Sequence, residues 1–141
     1  MATNSDRPAV DATAAIPVAS FRAALRTFLR KSEEIARASG LTPQRHLLLL
    51  MIKGAPGGSE YATVTDLTER LQLAQSTVTE LVRRAEEVGL VERETSAVDG
   101  RVAHLRLTEE GERRLARSVA RLTGERDALR ATFQQLDEAA P

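Results

Sequence analysis

The stretch VERETSAVDGRVAHLRLTEEG, residues 91–111, limits the possible folds of this chain more than any other segment. Two runs that favour extended structure, Val91–Thr95 and Val102–Leu107, flank a turn with a central glycine. Thr108 stands directly after the second run, where it can cap a helix whose first turn is acidic. The segment therefore predicts a β-hairpin that leads straight into a helix.

Composition favours helices in the rest of the chain, whose 141 residues suffice for one domain. Aromatic residues make up only 3%, whereas Ala, Leu, Arg and Glu are abundant. The 20 basic and 20 acidic side chains cancel, so the total charge predicts no polyanionic partner. The absence of cysteine excludes disulfides, thiolate metal ligands and sensing by thiol oxidation.

No segment of the sequence predicts a membrane association. The longest apolar run, LLLLMI at residues 47–52, is too short to cross a bilayer. The first residues contain Asp6 and Asp11 and lack the basic start and apolar centre of a signal peptide. We therefore expect a cytoplasmic protein.

The N-terminal region divides into a tail and a helix. Residues 1–16 mix small, polar and proline residues without periodicity, which predicts a disordered tail. Residues 17–40 form a predicted helix that Gly40 ends in the left-handed conformation. Its less polar face is formed by Phe21, Leu25, Phe28, Ser32 and Ile35.

Three further helices are predicted between residues 41 and 88. The first begins at Thr42 and Pro43, a typical N-cap and first helical residue, and its apolar run predicts burial on all sides. The second, capped by Thr63, is short. A brief turn separates it from the third, which covers residues 75–88.

The last helix, residues 108–138, carries apolar side chains with a heptad spacing. Their offsets from the first member are 0, 4, 7, 14, 18 and 21 residues, a period typical of helices that pair along a seam. The helix at 17–40 has the same rhythm, so we expect the two helices to pack together and to form a two-fold dimer interface. Packing within one chain is the alternative. The seam consists of Leu115, Val119, Leu122, Leu129, Phe133 and Leu136.

The two helices before the hairpin form a predicted helix-turn-helix unit, whose second helix can enter the major groove of DNA. This helix opens with small hydroxyl and amide side chains, which suit phosphate oxygens and base edges. The hairpin then becomes a wing, and its tip residue Arg101 can reach a minor groove or a phosphate, oriented by Asp99. Candidate DNA-contacting residues of the helix are Gln75, Ser76, Thr77, Thr79, Glu80 and Arg83.

The run TVTDLTERLQLAQSTVTELVRRAEEVGLVERETSAVDGRVAHLRLTEEG resembles the winged helix-turn-helix core of MarR-family transcriptional regulators. The resemblance rests on the helix from Leu67 to Leu71, the S-T-V start of the next helix and the E-x-V-G-L-V-E-R exit. The D-x-R wing and the following L-T-x-x-G complete it, and it extends over about residues 18–138. Each motif alone is weak, whereas their order is specific.

The resemblance implies a mainly α fold with a small β-hairpin wing. Residues 41–107 would form the DNA-binding region, and residues 17–40 and 108–138 the helical dimerisation region. It also implies a homodimer that binds near-palindromic double-stranded DNA, typically as a repressor that a small-molecule effector or an oxidant releases. The family's DNA-contacting positions fall on the six helix residues named above and on Asp99 and Arg101 of the wing.

Two features depart from this pattern. Residues 60–107 contain six arginines and nine acids, a net charge of −3, although DNA affinity depends on phosphate neutralisation. Thr68 and Gln72 stand where such units commonly have Ala and Gly, and Gln72 would be strained in a left-handed turn.

Other functions have less support in the sequence. The acidic lobe favours, as the main alternative, a winged-helix protein-interaction module that has lost DNA binding; a ligand-sequestering dimer is a third hypothesis. No catalytic set or phosphate loop is present, and two isolated histidines predict no metal site and no cofactor. Phe21, Phe28 and His46 are candidate effector-binding residues, although packing is the simpler explanation for each of them.

Overall fold

The computed structural model describes residues 8–95, 100 and 102–139. Within them, five α-helices and a two-stranded hairpin confirm the predicted mainly α fold with a β-hairpin. The elements are α1 (Ala12–Ala38), α2 (Pro43–Lys53), α3 (Val64–Leu71), α4 (Gln75–Glu87), β1 (Val91–Thr95), β2 (Ala103–Leu107) and α5 (Glu109–Glu138).

Helix α1 begins earlier than the sequence predicts. The expectation of a disordered tail over residues 1–16 is wrong for residues 12–16, which are helical. Asp11 is the cap, since its carboxylate accepts a hydrogen bond from the Thr13 backbone N–H at 3.0 Å. Pro17, the predicted first residue, lies inside the helix at its sixth position, where its missing N–H leaves the Thr13 carbonyl without the usual intrahelical bond.

The predicted boundaries of α2 to α4 follow from their caps. The Thr42 hydroxyl accepts from the Arg45 backbone N–H at 3.2 Å, and Thr63 forms a reciprocal capping box with Asp66. Gly89 adopts a φ of +74° after α4, which a residue with a Cβ rarely adopts. These local signals confirm the positions of the three helices.

One hydrophobic core joins α2, α3, α4 and the hairpin into a lobe. Leu48 and Ile52 of α2 are fully buried, and so are Leu67 of α3 and Val82 of α4. Leu105 of β2 closes the core from the side of the hairpin. The burial of these side chains fixes which face of α4 is left for solvent.

The hairpin is held to the start of α3 as well as to itself. Strand β1 pairs with β2 in antiparallel register, with Val91 opposite Leu107. Ala62, just before α3, adds an isolated bridge to Leu105 through hydrogen bonds of 3.1 and 2.8 Å. The wing therefore has a fixed position relative to the helix-turn-helix unit.

Helices α1 and α5 form a long antiparallel pair, which confirms the expectation that they pack together. The rings of Phe21 and Phe133 stack with their centroids 4.6 Å apart. At the other end, the Arg114 guanidinium donates to the Gly40 carbonyl at 3.0 Å. Phe21 remains 45% exposed, so this pairing covers only part of the apolar face of α1.

The first turn of α5 touches the end of α4 through a glycine. A Cβ on Gly111 would lie 2.2 Å from the Leu90 carbonyl oxygen, so only glycine allows this approach. Thr108 adds two bonds, from its N–H to the Leu90 carbonyl at 3.0 Å and from its hydroxyl to the Gly89 carbonyl at 2.6 Å. The start of α5 is thus fixed to the C-terminal end of α4.

A buried polar pair connects α2 to α5 at a second point. His46 Nε2 lies 2.9 Å from the Ser118 hydroxyl, and both side chains are buried. The Ser118 hydroxyl donates to the Leu115 carbonyl at 2.7 Å, so it must accept from an Nε2–H of His46. Burial lowers the pKa of His46, because desolvation disfavours the imidazolium.

Replacing Gly111 with alanine should destabilise the protein by about 3 kcal/mol, because the new methyl group overlaps a backbone carbonyl that cannot move alone. Gly124→Ala is the matched control, since a Cβ there meets no atom within 4 Å. That change should raise helix stability by up to about 1 kcal/mol. Urea denaturation monitored by circular dichroism measures both effects, and equal midpoints for the two variants would contradict the close contact.

The depressed pKa of His46 should make stability fall as the pH is lowered from 7.5 to 5.5. The unfolded chain gains a proton near the ordinary value of 6.5, whereas the folded chain gains it only at lower pH. Acid therefore favours the unfolded state until the folded pKa is reached. His46→Gln can keep an N–H donor for Ser118 without titrating, so its stability should change less over this interval. Equal pH profiles for both proteins would exclude His46 as the origin.

Candidate nucleic-acid interface

A helix-turn-helix unit is built from α3, α4 and the three residues between them. Gln72 turns the chain with φ +55°, the strained left-handed conformation expected from the sequence. Its side-chain amide donates to the Glu69 carbonyl at 2.6 Å, which offsets part of that cost. The other unusual residue, Thr68, donates its hydroxyl to the Val64 carbonyl at 2.9 Å, so no polar group is left unpaired there.

The solvent face of α4 brings the predicted contact residues together. Val78, Leu81, Val82 and Ala85 are buried in the lobe, and this fixes the rotation of the helix. The opposite side presents a half-buried Glu80 among exposed residues. The exposed predicted residues are Gln75, Ser76, Thr77, Thr79 and Arg83.

The first turn of α4 has no side-chain cap. Its N-cap residue is Ala74, which has no oxygen to accept from the free N–H groups of the turn. Exposed, unpaired N–H groups at the positive end of a helix are a suitable environment for a phosphate oxygen. The hydroxyl groups of Ser76 and Thr77 lie in the same turn.

A polar cleft of about 380 Å³ adjoins this turn, between the first turns of α2 and α4. Three of its residues, Gln44, Leu81 and Arg84, were not among the predicted contacts. Gln44 could not be predicted, because nothing local in the sequence brings the start of α2 beside the start of α4. The cleft is lined by Gln44, Ser76, Thr77, Glu80, Leu81 and Arg84.

Ion pairs occupy the arginines of α4. The Glu80 carboxylate accepts from Arg83 and from Arg84, and these bonds lower the pKa of Glu80 to about 2. Arg83 also contacts Glu87. Acidic residues that faced away from the predicted interface would favour DNA binding. These ion pairs show that the acidic residues counted in the sequence do not all do so.

Arginines of the hairpin are paired in the same way. Arg93 lies 2.8 Å from Glu86 of α4, and Arg106 lies 2.7 Å from Glu92 on the opposite strand. Asp99 and Arg101, the predicted wing-tip residues, lie outside the residues that the structure describes. Their role stays a prediction.

An apolar cavity of about 520 Å³ lies between α1, α2 and α5. Phe28 and His46 both line it, whereas Phe21 stacks on Phe133 and lies elsewhere. Leu47 and Leu50 of α2 face the same cavity. This explains why α2 is not buried on all sides as predicted, with Leu47 43% exposed.

His46 offers this cavity a hydrogen-bond acceptor. No buried side-chain nitrogen or oxygen of the described residues lacks a partner. Nε2 is bonded to Ser118, and none of the described residues bonds to Nδ1, so Nδ1 is accessible; the ring borders this cavity. Arg126 and Glu33 add charges to a lining that is otherwise mainly apolar.

Two other kinds of site are absent from the part of the chain that the structure describes. No three histidine or acidic side chains converge there as a metal ion would require. None of its helices combines the length and apolarity needed to span a membrane.

Comparison with known proteins gives a family match over part of the chain and a fold over most of it. The model of the MarR family matches residues 39–102, which include α2 to β1. No curated protein matches the chain significantly.

Solved structures match over most of the chain. AbsC, a MarR family transcriptional regulator from Streptomyces coelicolor, is 20% identical with a TM-score of 0.72, over 92% of this chain and 84% of that one. A second MarR family regulator from that organism, in complex with DNA, is 22% identical with a TM-score of 0.67, over 94% and 80%. A mutant of S. aureus MepR bound to an oligodeoxyribonucleotide is 21% identical with a TM-score of 0.62, over 79% of each chain.

The family match covers the helix-turn-helix and the first strand of the hairpin, and the shared fold extends through α1 and α5. Together they confirm the resemblance to the MarR family over residues 39–102 and the fold over most of the chain.

Proposed function

We propose that this chain is a sequence-specific DNA-binding transcriptional regulator that acts as a homodimer on a near-palindromic operator. The observation that carries the proposal is the outward face of α4, whose uncapped first turn exposes Gln75, Ser76 and Thr77. Two solved proteins of the same fold are described as complexes with DNA.

Two such helices are needed to read a near-palindrome. Val10, Ile16 and Val18 on or before α1 are between 61% and 81% exposed, and Phe21 is partly uncovered. An exposed apolar surface of this kind favours a contact with a second copy, in which the two α4 helices would enter successive major grooves about 34 Å apart. The heptad seams of α1 and α5 supply the rest of that contact.

Repression is the mode of action that the resemblance implies, because a dimer on its operator obstructs transcription. Residues Gln75, Ser76, Thr77 and Thr79 would contact base edges or phosphates, and the wing pair Asp99 and Arg101 would contact DNA beyond the major groove. The cytoplasmic location expected from the sequence follows from this proposal and is part of it.

The cavity between α1, α2 and α5 supports control by a small-molecule effector. A mostly apolar cavity with the His46 acceptor and the Arg126 guanidinium at its wall suits an aromatic ligand that carries an anionic group. Because α2 belongs to the lobe and α1 and α5 to the proposed dimer, a ligand there can favour one angle between them. It changes operator affinity only if it binds the two states with different affinity.

The alternative is a winged-helix interaction module that has lost DNA binding. It is supported by the ion pairs that occupy Arg83, Arg84, Arg93 and Arg106, which leave these cations less available for phosphates. The two hypotheses differ in what the wing tip does, and a substitution there separates them.

Arg101→Ala should weaken operator binding about tenfold and lower the salt dependence by about one ion, because a phosphate or minor-groove contact is lost. Fluorescence anisotropy with duplex DNA from upstream of the gene, at two salt concentrations and against random duplex, measures this. Arg130→Ala, an exposed position on α5, is the matched control and should bind as the wild type does. Wild-type protein that prefers no duplex over random DNA would favour the interaction module.

Val119→Trp should fill the cavity and abolish the response to an apolar anion. The probe is anilinonaphthalene sulfonate, whose fluorescence should rise with wild-type protein and whose excess should raise the Kd for the operator. Val88→Trp is the control, because Val88 is equally exposed, at 46% against 44% for Val119, and does not line the cavity. Equal probe fluorescence for the two variants would exclude this cavity as the binding site.

A further inference from the structure

The carboxylate of Glu80 is the centre of a cluster of ion pairs on α4. Arg83 binds it in a bidentate manner, with Nε 2.9 Å from Oε2 and Nη2 2.6 Å from Oε1. Arg84 adds a third bond from its Nε to Oε1 at 2.9 Å. One carboxylate therefore accepts three N–H groups from two guanidinium groups.

Glu87 completes the cluster on the other side of Arg83. Its carboxylate accepts from Nη1 of Arg83, so that this guanidinium lies between two carboxylates one helical turn to either side. Helix α4 contains Arg83, Arg84 and three glutamates, which gives it a charge of −1. Neither arginine of this helix is without an acidic partner.

The cluster lies on the face that the proposed function turns toward DNA. Val78, Val82 and Ala85 point into the lobe, and Glu80 and Arg83 stand on the opposite side of the helix, at 44% and 53% side-chain exposure. A phosphate that approaches α4 would thus meet paired arginines and must compete with Glu80 for them.

We propose that Glu80 is a specificity-determining residue that restrains Arg83 and Arg84 and so suppresses their contacts with the phosphates of random DNA. This inference rests on the proposed DNA-binding function. On an operator, base contacts made by the same helix favour the complex enough for the pairs to open or to rearrange.

The strength of exposed ion pairs suits this role. Each contributes a factor of only about one to five in an equilibrium constant, so an operator complex can open it. Non-specific binding depends almost entirely on phosphate contacts. The ion pairs therefore lower the affinity for random DNA by this factor, and no base contacts compensate for the loss. The acidic lobe would in this way lower the affinity for DNA in general and increase the preference for the operator over random DNA.

Glu80→Gln tests the proposal, with Glu69→Gln as the control for net charge. Glu69 is exposed on α3, and no salt bridge to it is present among the described residues, so both variants lose one negative charge from the lobe. The measurement is anisotropy of a random duplex and of the operator over a range of salt concentrations.

Glu80→Gln should bind random duplex about fivefold more tightly, with a salt dependence steeper by about one ion, and should gain less affinity for the operator, so that its preference for the operator falls. An equal gain on the operator and on random duplex would overturn the proposal. Glu69→Gln should change random binding less than about twofold. Equal effects of the two variants would reduce the role of Glu80 to net charge and overturn the proposal. Weaker operator binding by Glu80→Gln would assign Glu80 to base contact and also overturn it.

Nuclear magnetic resonance tests the cluster in the absence of DNA. The Glu80 carboxyl should titrate well below an ordinary glutamate, and the Arg83 Nε resonance should shift in Glu80→Gln and not in Glu69→Gln. Ordinary titration together with operator binding would overturn the restraint and leave the proposed function intact. A normal cluster in a protein that prefers no duplex would overturn the proposed function, and with it any role of Glu80 in specificity.

Discussion

The arrangement of the whole chain depends on the contact between Gly111 and the Leu90 carbonyl. At this point the beginning of α5 and Leu90, which follows the turn after α4, come closer than any side chain would permit. The Thr108 bonds to Gly89 and Leu90 fix the angle between the two helices. The helix proposed to read DNA and the helix proposed to hold the dimer are therefore joined without an intervening flexible linker, although a hairpin separates them in sequence.

The His46–Ser118 bond provides a second junction, between α2 of the lobe and α5, about two turns further along α5. The cavity lies beside it, bordered by α1 on the remaining side. One junction is a backbone contact that cannot adjust, and the other is a pair of side chains at the wall of a cavity. A displacement of α2 relative to α5 would thus pivot about the first and would be resisted mainly by the second.

The sequence predicted those features that depend on local chemistry. Three helix starts were predicted from Thr42, Thr63 and Thr108, and two helix ends from the glycines after α1 and α4. These predictions were possible because capping and left-handed turns require particular residue types. Asp11 was not predicted as the N-cap of α1, because it lies among other polar residues and nothing in the sequence distinguishes it from them.

Features that depend on tertiary structure could not be predicted in this way. Gln44 joins the cleft only because α2 and α4 start side by side. Leu47 is exposed only because the surrounding helices leave a cavity. The spacing of Glu80 and Arg83 permits an ion pair, but a sequence does not determine which of several nearby acids an arginine will bind.

The bridge between Ala62 and Leu105 has a consequence for mechanics. It gives the second strand of the hairpin two neighbours, since β2 is bonded to β1 on one edge and to the segment before α3 on the other. A displacement of β2 would therefore move the start of α3 with it, so that the base of the hairpin and the helix-turn-helix would shift together relative to the glycine contact at the start of α5.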